Sequence, residues 1–236
     1  MYHRDGRYFE LSWRQIYFYF LLSLTLDALG NGLSVATNLG SAPWTAGAAN
    51  LAHVTGVPIS IYLAATTVLV AIANIFLAKK FVLKRFLGNI TFGLLFSFLA
   101  GFFNTIFVQM GVRTVPLWLR IPLDLFGVAV VGVAISVYQR VNFILHPIDD
   151  MTNILRFSYF RGSAPKAQIS NFIFAIGISL ACWAYSGSIV SINIGTAVSF
   201  FLQGQIIAWS DNLVFPHLVH GNMDLTHKDI PVQNKD

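Results

Sequence analysis

The chain reads as an all-α polytopic membrane protein, with six transmembrane helices plus two short re-entrant helices in two inverted-topology repeats of three spans each. Three observations predict this. Of 236 residues, 56% are hydrophobic and only 11% charged, less than half of the roughly 25% charge of a soluble domain. Six apolar runs are long enough to cross about 30 Å of hydrocarbon. If those runs alternate in direction, all but Arg113 and Arg120 of the 15 Lys and Arg residues fall on one side, as the positive-inside rule requires.

The six runs are residues 13–35, 58–78, 86–110, 116–138, 167–185 and 188–214. Basic residues precede the first, and no small-residue cleavage site follows it, so the opening MYHRDGRYFELSWRQ reads as a cytoplasmic tail rather than a signal peptide. With both termini inside, residues 1–215 form a single membrane domain, and 216–236 is a polar cytoplasmic tail. The net charge of +5 then belongs to loops that meet water and anionic lipid, which removes the case for nucleic-acid binding. Cys182 is the one cysteine, so there is neither a disulfide framework nor a cysteine metal site. Trp13, Tyr17, Tyr19, Trp118, Trp183, Tyr185 and Trp209 lie mostly near span ends, as interfacial anchors do. No phosphate-binding loop, dinucleotide fingerprint, nucleophile elbow or zinc pair occurs. No enzyme activity and no cofactor is therefore expected.

Two stretches are too short to cross. Residues 43–54 (PWTAGAANLAHV) and 147–158 (PIDDMTNILRFS) each make roughly 18 Å of helix. Each opens with Pro at the first helical position, where the missing N–H costs nothing. They sit at matching places in the two halves: Asn38 and Pro43 recur as Asn142 and Pro147, and Leu51 as Leu155, all at an offset of 104. Gly101 and Gly204 close the two units. Repeat one is then about 13–110 and repeat two about 116–214. Three crossings per half is an odd number, so the second copy is inverted.

Two placements of the short helices fit. They lie flat at the interface, or they dip into the protein and return to the same face. Interfacial helices want a basic face and a strong apolar one. The first short helix is uncharged and rich in Ala and Gly, which suits close packing among helices, and the re-entrant placement is favoured. Its consequence is chemical. Unpaired N–H groups and the positive ends of two helix dipoles then converge near the bilayer midplane, where they suit an anion or the polar end of a neutral solute.

The candidate site is therefore Asn38, Ser41, Trp44 and Thr45 from one half, with Asn142, His146, Asp149 and Asp150 from the other. Asp149 and Asp150 in a first helical turn also fit plain dipole capping, and His146 fits an ordinary hydrogen-bonding loop residue. Asp27 and Asp149 are candidates for coupling to a proton or cation, since intramembrane acids are costly and face the bundle interior. Asp124, four residues after Arg120, reads as an i, i+4 ion pair. Gln203 and Gln205 line a path or serve as interhelical glue. No ligand set for a metal is visible.

The run Leu39-Gly40-Ser41-Ala42-Pro43-Trp44, the later His146-Pro147-Ile148-Asp149 and the closing Ile194-Gly195-Thr196 resemble the YczE/YyaS/YitT family of small bacterial integral membrane proteins. Where that family has an acid after Pro-Trp, this chain has Thr45. Where it has Gly before the second Pro, this chain has His146, while Asp149 matches the second acid. The resemblance implies a bacterial inner-membrane protein and leaves the substrate open. The expected function is a secondary transporter or facilitator of a small polar solute, anionic or hydroxylated. The alternatives are a non-transporting scaffold or regulatory subunit and, third, a narrow channel. The expected partners are the solute and the lipid bilayer, and the sequence is compatible with both a monomer and a homo-oligomer.

Overall fold

The computed structural model describes residues 2–4, 7–161 and 164–219. A short antiparallel pair, β1 (Tyr2–Arg4) and β2 (Arg7–Phe9), precedes eight helices. These are α1 (Trp13–Thr37), α2 (Pro43–Thr55), α3 (Ile59–Ala78), α4 (Leu83–Gln109), α5 (Leu117–Val141), α6 (Pro147–Ile154), α7 (Ala164–Ser186) and α8 (Ile194–Leu213). A 3-10 turn at Val112–Thr114 joins α4 to α5, and a π-turn at Leu155–Tyr159 extends α6.

The helix ends follow local chemistry. Ser12 starts α1 with a capping box, its hydroxyl accepting from the Gln15 amide while the Gln15 side chain accepts from the Ser12 amide. Asn38 and Asn142 end α1 and α5 in the left-handed conformation, at φ 54° and 49°, which Asn tolerates better than most residues. Pro43 and Pro147 open α2 and α6. The shared Asn and Pro therefore do the same backbone work in both halves.

Among the described residues five helices, α1, α3, α4, α5 and α7, are long and apolar enough to cross a membrane. The sixth expected span corresponds to α8, which starts at Ile194 rather than near 188 and has 20 residues. Gln203, Gln205 and Asp211 interrupt its apolar run, and it is not among the five. Around the bundle the usual distribution of side chains is reversed. Phe76, Phe98, Trp118 and Phe201 are largely exposed, while Asp27, Asn31, Asn50, Thr67, Ser97 and Ser136 are buried. Such an exterior suits hydrocarbon and such an interior suits polar helix–helix contacts.

Packing relationships recur between the halves. Helix α1 lies along α5, closest at Gly30 and Gly127, where a Cβ on Gly30 would sit 2.7 Å from the Gly127 carbonyl oxygen. Helix α1 packs on α4 as α5 packs on α8. The short α2 rests on α7 and α3, and the short α6 rests on α3 and α7. Phe20, Leu24, Phe92, Phe96, Val131 and Tyr138 fill the central apolar core.

Two expectations about charged groups need correction. Arg120 and Asp124 do not pair: Arg120 donates to the Arg113 carbonyl at 2.9 Å, and Asp124 accepts from the Thr37 hydroxyl at 2.8 Å. Thr37 lies at the end of α1, so tertiary packing overrides the i, i+4 spacing. Arg140, expected in a loop, is 1% exposed. Its guanidinium donates to the carbonyls of Asp211, Val214, Phe215 and Leu218 at 2.8–3.2 Å, satisfying acceptors that the end of α8 leaves open. Residues 216–219, the start of the expected polar tail, thus fold back, with Leu218 buried. The rest of that tail, 220–236, lies outside the described residues, as do residues 162 and 163 just before α7.

Candidate functional site

The first turns of α2 and α6 meet at one cavity of about 80 Å³, which has room for several waters or a guest of a few heavy atoms. Helix α2 contributes Trp44 and Thr45, preceded by Ala42; α6 contributes Ile148 and Asp149, preceded by His146. Helices α1, α4 and α8 contribute residues near their mid-lengths. Phe96 is the fourteenth residue of 27 in α4, and Gln203 the tenth of 20 in α8. Asp27 and Asn31 of α1, Tyr138 of α5, Thr66 and Thr67 of α3, Gln168 of α7 and Ser199 of α8 complete the polar lining.

A relay of hydrogen bonds fixes one wall. The Thr45 hydroxyl donates to Asn31 Oδ1 at 2.8 Å, and Asn31 Nδ2 donates to Asp27 Oδ1 at 2.9 Å. On the opposite wall the Tyr138 hydroxyl donates to Asp149 Oδ2. Asn171 of α7 ties the two short helices together. Its Oδ1 accepts from Trp44 Nε1 at 2.9 Å, and its Nδ2 donates to the Ile148 carbonyl at 3.1 Å and to Thr152 Oγ1 at 2.7 Å. His146 caps α6, with Nδ1 accepting from the Ile148 amide at 3.3 Å and the ring edge-on to Phe92 and Phe96. The proton therefore belongs on Nε2.

Two carboxylates, Asp27 and Asp149, line the cavity, and no Lys or Arg does. In a low-dielectric surround their charges repel each other and any anionic guest. Gln203 Nε2 is buried and without a hydrogen-bond partner, although Gln203 Oε1 accepts from Ser199 at 3.0 Å. That nitrogen lies against Gly132 of α5 rather than open to a guest. Helix α2 has no side-chain cap, so the amides of Trp44 and Thr45 offer two donors.

Of the eight residues expected in the site, Trp44, Thr45, His146 and Asp149 line this cavity and four do not. Asn38 is turned to the loop before α8, its Oδ1 accepting from the Ser191 amide at 3.0 Å. Ser41 is fully buried there too, its amide donating to the Ser191 carbonyl and to Thr196 Oγ1. Asn142 is exposed at the far end of α5, one helical cap away from the cavity. Asp150 points the other way from Asp149, accepting from Arg85 at 2.6 and 2.7 Å and from Asn89 at 2.7 Å. About 100° of helix rotation separates adjacent residues, which is why one acid faces the cavity and its neighbour faces α4. Asp27 lines the cavity as well. Sequence reading did not single out Tyr138, Gln168, Asn171, Ser199 or the Thr66–Thr67 pair for the site. The one available signal was polar residues within apolar helices, and glue residues give the same signal. Among the described residues no group of three or more His, Cys, Asp or Glu is placed to hold a metal.

Spanning helices with an apolar exterior and a polar pocket at mid-length define the class: a polytopic α-helical membrane protein. Residues 14–212 match the family described as "Family of unknown function (DUF6198)", and the chain belongs to that family. No match occurs among the curated proteins or the solved structures.

Proposed function

We propose that the protein is a secondary transporter or facilitator of a small polar solute, with the central cavity as its binding site. One observation carries the reading: the first turns of two short helices, from opposite halves of the chain, meet at one cavity with polar groups in its wall, at the mid-length of α1, α4 and α8. In this reading α8 is the sixth span, α2 and α6 are re-entrant, and the halves are inverted repeats related by an axis in the membrane plane. The matched Asn caps, the matched Pro starts and the recurring pairs α1–α4 with α5–α8 and α2–α7 with α6–α3 support that symmetry. A bacterial inner membrane with both termini cytoplasmic, and kinship with the YczE/YyaS/YitT proteins, belong to the same proposal.

The lining favours a hydroxylated, uncharged guest over an anionic one. Asp27 and Asp149 accept hydrogen bonds, the start of α2 donates them, and no cation offsets the acids. The two carboxylates also remain the candidates for proton or cation coupling, because an unpaired acid at this depth is costly unless it is protonated or balanced.

The test is uptake into proteoliposomes across a panel of small polyols, short-chain acids and inorganic anions, with Asp149→Asn alongside. Saturable flux of a hydroxylated solute, reduced at least about ten-fold by Asp149→Asn, is expected; ten-fold corresponds to roughly one charge-assisted hydrogen bond. No flux and no thermal stabilisation by any member of the panel would leave the non-transporting scaffold as the better reading.

A further inference from the structure

A second cavity, larger and chemically unlike the first, lies at the end of the bundle where α3 passes into α4. Its volume is about 540 Å³, and Lys80, Lys84, Arg85, Asn142, Asn153 and Ser158 supply its polar lining. Asn142 through Leu145, the segment leading to α6, forms one wall. It approaches α4 so closely that a Cβ on Gly88 would sit 2.8 Å from Ile144 Cγ2. Among the described residues Asp150 is the one acid in the lining, already engaged by both nitrogens of the Arg85 fork. Lys80 and Lys84 have no acidic partner among the described residues. Helix α4 starts here without a side-chain cap, so its first amides add further positive potential. Beside the cavity, Phe81, Val82, Leu83 and Leu87 are all at least 41% exposed.

We propose that this cavity binds the headgroup of an anionic phospholipid, with an acyl chain lying along the apolar start of α4. The cations answer the phosphate, as basic pockets between transmembrane helices do. The exposed apolar side chains answer the hydrocarbon, which a free phosphate ion would leave bare. Because Arg85 lines the cavity and also holds Asp150, a bound headgroup shares a guanidinium with the first turn of α6. Lipid occupancy is thereby linked to the position of that helix. The site is independent of what, if anything, occupies the central cavity.

The experiment is native mass spectrometry of the full chain in detergent, titrated with phosphatidylglycerol, phosphatidylcholine or inorganic phosphate. Retained phosphatidylglycerol adducts are expected, with phosphatidylcholine much weaker. Lys80→Gln with Lys84→Gln should weaken phosphatidylglycerol binding about 25-fold, at roughly five-fold per lysine near a lipid phosphate. Circular dichroism of the double variant confirms that it folds. Lys79→Asn removes a neighbouring charge that does not line the cavity, at a left-handed position that Asn tolerates, and should change binding little. Equal loss in Lys79→Asn would mean diffuse attraction and overturn the site, as would equal affinity for the two lipids. Displacement of phosphatidylglycerol by millimolar phosphate would assign the cavity to the free ion and overturn the lipid.

Discussion

The two short helices follow one plan and are held in place by different physics. Helix α2 carries no Asp, Glu, Lys or Arg, and it is seated by small residues, with Ala46, Ala48 and Ala49 buried and Gly47 against the Ala175 carbonyl of α7. Helix α6 is held by polar bonds. Arg85 and Asn89 grip Asp150, Asn74 donates to the Pro147 carbonyl at 2.9 Å, and His146 caps the first turn. Small residues and neutral hydrogen bonds, among them Trp44 to Asn171 and Thr45 to Asn31, seat one helix, and an ion pair holds the other. In a bundle surrounded by lipid both devices work, because neither depends on water being excluded from an apolar core.

That contrast can be broken from either side. The largest effect is expected on the charged side, where Arg85→Ala leaves Asp150 buried with Asn89 alone. A destabilisation of about 3 kcal/mol is expected, at the low end for a broken buried pair because the guanidinium is itself partly exposed. Denaturant unfolding in mixed micelles measures it. Arg85→Lys keeps the charge and loses the fork, so it should recover only part of the loss. On the shape side, Gly47→Leu has no room: a Cβ at this position already sits 3.2 Å from the Ala175 oxygen. Overpacking by this much costs about 2 kcal/mol, and Gly47→Ala should cost less. If Gly47→Leu is neutral while Arg85→Ala is not, α2 is not held by close packing.

A smaller effect sharpens the comparison. Asn171 is the residue that bonds to both short helices, so Asn171→Ala should weaken both seats at once. Its loss is expected at roughly 1.5 kcal/mol, the cost of orphaning buried partners such as Trp44 Nε1. Hydrogen exchange should report faster amides in α2 and α6 together. Protection lost in one alone would mean that the two are not coupled through α7.

Much of this architecture is legible in the sequence because hydropathy and Pro are local signals. The short helices open at Pro43 and Pro147 and the long ones end within a few residues of their apolar runs. Side-chain direction is a different matter. Asp149 and Asp150 are adjacent and chemically alike, and only the packing of α6 against α3, α7 and α4 decides which acid faces the cavity. Asp124 sits four residues from Arg120, yet it takes a partner 87 positions away. Arg140 looks like one more positive-inside charge until the end of α8 is folded against it. Each of these depends on long-range contacts that spacing along one helix does not encode.

The most direct measurement asks whether water reaches the place where the two short helices meet. With Cys182→Ser as background, Thr45→Cys, Ala134→Cys and Ser158→Cys are exposed to a small, charged, water-soluble thiol reagent in liposomes. Ser158 is exposed and Ala134 is fully buried away from the cavity. Thr45→Cys is expected to react, more slowly than Ser158→Cys but far faster than Ala134→Cys. If Thr45→Cys is as inert as Ala134→Cys under all conditions, the central cavity is a sealed packing defect and carries no solute.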